Sequence, residues 1–156
     1  MYLIVVAVSM FLAPLVSVAA EYWSSAATFD LLGAAGKWLT FWAVGVRLFL
    51  TGINQAFRPG FTARGIFEIE DPRALGLARE IGFGNVAIGA LGLASLPRPE
   101  WTIPAAAAGG IFYGLAGFMH VAKPERNAKE GIALVSDLLV FAVLAAFIVF
   151  RGGFGL

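Results

Sequence analysis

The chain has 156 residues, 60% of them hydrophobic and only 13% charged, with a mean hydropathy of +0.84 and a formal net charge of +1. That composition excludes an ordinary soluble domain, where apolar usage is nearer half, and the balanced charge without a basic, aromatic-interleaved tract excludes a nucleic-acid binder. The absence of cysteine removes disulfides, thiolate catalysis and Cys-type metal sites, and a single histidine removes multi-His metal sites and bis-His haem ligation within one chain.

Residues 2 to 20 run without a charge, about the length a helix needs to cross roughly 30 Å of hydrocarbon. Their ending, Val18-Ala19-Ala20, has the small residues of a signal-peptidase site, but no Lys or Arg precedes the apolar run, so the expectation is a retained first helix. Four further spans are expected at about 33 to 56, 73 to 96, 101 to 122 and 130 to 150. Asp71-Pro72 reads as an N-cap with proline at the first helical position, and Asn127 with Glu130 reads as a capping box. Pro97-Arg98-Pro99 forces a turn between the third and fourth spans, and Pro124 closes the fourth. The expected fold is therefore all-α, a single polytopic transmembrane helical bundle of about five spans.

Five spans place the N-terminus, loop 57 to 72 and loop 121 to 129 on one side. That side holds Arg58, Arg64, Arg73, Arg79, Lys123, Arg126 and Lys129, against Lys37, Arg98 and Arg151 on the other. The positive-inside rule makes the N-terminus cytoplasmic, and Trp23, Trp38, Trp42 and Trp101 all fall near the external side, as an interfacial belt would. The expected location is a prokaryotic cytoplasmic (inner) membrane. Loop 57 to 72 mixes Phe and Ile with Arg and Glu and is expected to lie as an amphipathic segment on the cytoplasmic headgroups.

Arg47, Glu80, His120 and Asp137 come from four different spans, each toward its cytoplasmic end. Arg47 lies about 15 Å inside its helix end, and Glu80 and Asp137 about 10 Å inside theirs, at 1.5 Å per residue. Each charge at such depth costs about 2 to 3.5 kcal/mol on insertion scales, so these groups are expected to face protein or water. Arg47 is expected to pair with Glu80 or with Asp137, its planar fork being suited to a carboxylate. Three readings stay open: a structural lock on helix register, a site for a ligand or ion, or an arginine that snorkels to the interface. His120 shares a stripe with Tyr113 and Ala116 and is able to titrate near neutrality, relay a proton or supply one axial haem ligand; an interfacial hydrogen-bonded histidine is the plainer reading.

The 19 glycines are patterned. Gly82, Asn85, Gly89 and Gly92 share one face of the third span and Gly76, Glu80, Gly84 and Ala87 the opposite one, so this helix is expected to be contacted on both sides. Gly110, Gly114 and Gly117 form a similar stripe on the fourth. Neither a phosphate-binding loop, a nucleophile elbow nor a paired zinc-ligand motif occurs.

The segments KWLTFWAVGVRLFLTGINQAFRPGFTARGIFEIED, AREIGFGNVAIGALGLASL, IPAAAAGGIFYGLAGFMHVAKPERNAKE and ALVSDLLVFAVL resemble, in that order, a family of small prokaryotic integral membrane proteins known only as a domain of unknown function. The resemblance runs from about Lys37 to Leu144. Its recurrent polar positions correspond to Arg47, Gln55, Thr62, Arg79, Glu80, Asn85, His120, Asn127 and Asp137. It implies the fold and a shared role for the polar positions, and implies no activity. A more distant likeness is to four-helix membrane proteins of the DoxX type, from which a redox role would be analogy alone.

The leading expectation is a binding or transport module for a small ligand or ion, built on Arg47, Glu80, His120 and Asp137 with Asn85 and Arg79 nearby. Its expected partners are membrane lipid and either further copies of itself or a larger membrane complex, with no nucleic acid. The alternatives are an accessory subunit packed through its glycine stripes, and a membrane enzyme using His120 with Glu80 or Asp137 for acid–base chemistry. The sequence names no catalytic residue, metal ligand or cofactor, and leaves open any bound lipid, quinone, pigment or haem, of which haem has the least support.

Overall fold

The computed structural model describes residues 2–65, 68–122 and 128–152, with side chains from residue 4 onward and from residue 131 in the last helix. Every regular element among them is helical. Helix α1 covers residues 2–24, α2 residues 31–57, α3 Pro59–Gly65, α4 Ala74–Ala94, α5 Thr102–Ala122 and α6 Ala128–Arg151. Single 3₁₀ turns, Ala26–Thr28 and Pro99–Trp101, precede α2 and α5. The expected capping box falls partly on Asn127, which lies outside the described residues. At the other expected start, the Asp71 carboxylate accepts the N–H of Arg73 at 2.9 Å and the helix proper begins at Ala74, so the cap acts on the turn that leads into the helix.

Three helical stretches, Ile4–Ser24, Pro99–Ala122 and Gly131–Arg151, are long and apolar enough to cross a membrane. Their outward faces carry large apolar side chains such as Leu15, Leu115 and Val135, which suit a lipid environment and not water.

Two helices change register along their length. Val8–Leu12 in α1 and Thr40–Leu48 in α2 are π-helical, and the two stretches pack on each other. Each contains a buried hydroxyl bonded to the carbonyl four residues back, Ser9 to Val5 at 2.6 Å and Thr40 to Gly36 at 2.7 Å. A hydroxyl on that carbonyl competes with the helical ladder, and a wider i→i+5 register is one way of accommodating the competitor.

Helix α2 is central. Its first half packs on α1 and α6, its second half on α4. The α2–α4 seam is closed by glycine: a Cβ on Gly52 would lie 2.6 Å from the Gly82 carbonyl oxygen, and one on Gly45 would lie 2.8 Å from backbone atoms of Gly92 and Leu93. Backbone meets backbone there, so the small face of α4 is the packed one. Among the described residues the opposite face is open, with nothing within 4 Å of a Cβ on Gly76 or Gly84; the expectation of contact on both sides is met on one side only among those residues. Helices α5 and α6 form the second tight pair, Gly114 seating Phe141 and Gly117 seating Leu138. The main core, Val6, Met10, Val44, Leu48, Tyr113, Val140 and Leu144 among others, fills the space between α1, α2, α5 and α6.

Loop 57 to 72 contains α3, an amphipathic helix of about two turns. Thr62 and Ala63 are buried, Ala63 packing on Ala74 and Ala78 of α4, while Phe57 and Phe61 are exposed.

Candidate functional site

The register of α2 against α6 is fixed by Phe147 lying over Gly36 and by the packing of Val44, Val140 and Leu144 in one core. Three turns further along, this same register brings Arg47 to Asp137. The Arg47 Nη1 atom lies 3.5 Å from Asp137 Oδ1, and both residues are buried, 9% and 5% exposed. The expected choice between Glu80 and Asp137 is thereby resolved for the conformation described.

Tyr113 of α5 forms the third wall. The guanidinium carbon of Arg47 sits 5.4 Å from the centre of its ring, a cation–π arrangement strengthened by the exclusion of water. The Tyr113 hydroxyl donates to the Ala43 carbonyl at 2.6 Å. Ala43 lies within the π-helical stretch that also carries Arg47, so the altered register and the site are one piece of structure, as π segments at functional sites often are. Ser136, fully buried beside Asp137, donates to the Ala133 carbonyl at 3.0 Å. His120 is half-buried one turn beyond Gly117 and within electrostatic reach of the Asp137 carboxylate.

Glu80 and Arg79 are not part of this cluster. Both are exposed, Glu80 on the open face of α4 between Gly76 and Gly84. Arg79 donates from Nε to the Ala56 carbonyl at 3.2 Å, satisfying an acceptor at the C-terminal end of α2. That bond sets the level of α4: Arg79 and Glu80 stand one residue from the end of α2, about 13 Å along it from Arg47. Counting depth from the start of α4 misleads because that helix begins well beyond the point where α2 stops.

Asn85 sits on the packed face of α4, 3% exposed, and donates from Nδ2 to Gln55 Oε1 at 2.8 Å. Its Oδ1 is the one buried side-chain polar atom among the described residues that lacks a partner. Asn85 belongs to the α2–α4 seam and not to the Arg47 cluster. No group of three or more His, Asp or Glu side chains able to hold a metal occurs among the described residues.

Tyr113, Ser136 and the π stretch were not evident as site components from sequence. Tyr113 was readable only as a neighbour of His120 on a helical stripe; a hydroxyl at the head of an apolar helix interior, Thr40, is the one local signal of the register change.

Comparison with known proteins gives no match, whether to protein-family models, to curated proteins or to solved structures.

Proposed function

We propose that the protein is a multi-pass integral membrane protein whose buried Arg47–Asp137 pair, with Tyr113 and His120, forms a proton-linked binding or transport site for a small ion or acidic ligand. The observation that carries this reading is an opposite-charge pair drawn from two long helices and enclosed by a third, at a depth where such groups are costly and commonly functional. At 3.5 Å the contact is longer than a charge-assisted hydrogen bond of 2.7–2.9 Å, which leaves the carboxylate able to exchange its guanidinium contact for a proton. The His120 imidazole lies on the side toward the α5 terminus and supplies the proton donor.

The reading includes five crossings, with α2 and α4 joining the three most apolar stretches; at 1.5 Å per residue they extend about 40 and 31 Å. It includes a cytoplasmic N-terminus, supported by the cation asymmetry, and a prokaryotic inner membrane, supported by the resemblance described above. The test is proton uptake into pyranine-loaded vesicles containing the full chain, with native mass spectrometry of the same preparation for a retained small molecule. Uptake or a retained ligand that falls at least tenfold in Asp137→Asn and Arg47→Gln supports the site. Folded variants that match the wild type in both readouts reduce the pair to a structural lock.

A second reading, a subunit assembled with further copies or with a larger membrane complex, is favoured by the open face of α4. Glu80 makes no hydrogen bond or ion pair among the described residues and stands between two uncovered glycines. Recovery of a hetero-complex after gentle solubilisation supports this reading, and a stable solitary monomer removes it.

A further inference from the structure

Away from the charged pair, a groove of about 280 Å³ runs along α1 between α2 and α6, lined by Met10, Phe11, Pro14, Val18, Ala35, Leu139 and their neighbours. Its walls are almost wholly apolar, so it suits hydrocarbon and not water. The α1 and α6 walls belong to two of the stretches able to cross a membrane.

A charged pair lies outside the groove's lining, one turn beyond Val18 on α1. Glu21 follows Pro14 and Val18 at helical spacing on α1 and makes an ion pair with Lys37. Trp38 Nε1 donates to the same carboxylate oxygen, Oε2, at 2.7 Å, while the Lys37 ammonium lies 4.8 Å from the centre of the Trp38 ring. Trp42 Nε1 donates to Ser17 at 3.0 Å on the flank. Both contacts to Glu21 fall on Oε2, which leaves Oε1 without a hydrogen bond among the described residues. Lys37 and Glu21 are each about one-third exposed, 37% and 29%, and an ammonium carries three donors.

We infer that this groove is a lipid site which holds one acyl chain against Met10, Pro14, Val18, Ala35 and Leu139 and seats a zwitterionic phospholipid headgroup on Glu21 and Lys37. Charge complementarity selects the occupant. A carboxylate and an ammonium side by side match the ammonium and phosphate of a zwitterionic headgroup, whereas an anionic headgroup without a cation would set a negative charge against Glu21. Trp38 and Trp42 flank the pair, and indoles are enriched where a membrane protein meets headgroups. The inference is independent of the Arg47–Asp137 reading, and either one stands if the other fails.

Native mass spectrometry of the detergent-solubilised full chain, titrated with dioctanoyl phosphatidylethanolamine or dioctanoyl phosphatidylglycerol, tests it. The wild type is expected to retain one phosphatidylethanolamine in at least tenfold preference. Ala35→Phe, and independently Val143→Phe from the α6 wall, fill the groove and are expected to lower retention at least tenfold. Leu115→Phe, on an exposed part of α5, leaves it unchanged. Glu21→Gln with Lys37→Gln is expected to abolish the headgroup preference while tail binding persists. Equal retention by the wild type and a folded groove-filled variant overturns the site, and equal retention of the two lipids by the wild type overturns the headgroup assignment.

Discussion

Arg47 and Asp137, ninety positions apart in the chain, lie 3.5 Å apart between α2 and α6 with the Tyr113 ring beside them. Neither charge is tolerable there alone. Removing one partner of a buried pair costs about 3–5 kcal/mol, because the survivor is left uncompensated, whereas replacing both by apolar groups of similar volume is often neutral or stabilising. Arg47→Met and Asp137→Leu are therefore each expected to lower stability strongly and, combined, to recover most of it. Urea unfolding of the detergent-solubilised chain measures this; losses that simply add would show that the two charges do not meet.

Tyr113 has two separable contributions. Tyr113→Phe deletes the hydroxyl on the Ala43 carbonyl and keeps the ring over Arg47, so the expected loss is about 1 kcal/mol. Tyr113→Leu also removes the cation–π contact, worth up to about 2 kcal/mol when desolvated. Equal losses in thermal unfolding would mean that the ring contributes nothing to holding the guanidinium.

The glycines of α4 divide by face. Gly52→Ala on α2 and Gly92→Ala on α4 press a methyl group into backbone across the seam and are expected to cost about 1–3 kcal/mol, as overpacking does. Gly76→Ala and Gly84→Ala meet nothing within 4 Å and are expected to gain about 0.5–1 kcal/mol, the ordinary helix preference for alanine. If Gly84→Ala instead dissociates an oligomer in analytical ultracentrifugation, the open face is an assembly surface.

Asp30, in the connection between α1 and α2, has its carboxylate beside Gly33 and pairs with Arg151 at 2.6 Å. The Gly33 N–H first, then the arginine, hold its carboxyl below the usual carboxylate range. A depressed folded-state value means stability that is present above the unfolded pKa of about 3.9 and lost as pH falls through the folded value. Asp30→Asn is thus expected to lower the unfolding temperature at neutral pH and to match the wild type in acid below that range. A gap that persists unchanged into acid would place the effect elsewhere.

The helices were legible because their determinants are local. Uninterrupted hydropathy, Pro97 and Pro99, and Asp71 mark starts and stops to within a few residues of those observed. The packed face of α4 was legible for the same reason, since Gly82, Asn85, Gly89 and Gly92 repeat at helical spacing. Glu80 was the difficult residue. Its spacing places it on the face opposite Asn85, but whether that face is covered depends on neighbours, and its depth depends on how far α4 extends past α2, a tertiary offset fixed by the seam. The choice of Asp137 as the partner of Arg47 likewise rests on the docking of Phe147 over Gly36, three turns away and invisible to periodicity. The π register of Thr40–Leu48 was beyond hydropathy altogether, because it alters which carbonyls are bonded and not which residues are apolar.

The most direct measurement is a charge swap. Arg47→Asp and Asp137→Arg each set like charges together and are expected to leave the chain poorly folded in thermal unfolding of the membrane extract. The double variant restores opposite charges at the same place and is expected to recover an unfolding temperature well above that of either single variant. A double variant no more stable than the sum of the two single losses allows would contradict the pairing of Arg47 with Asp137, and with it the site proposed for this protein.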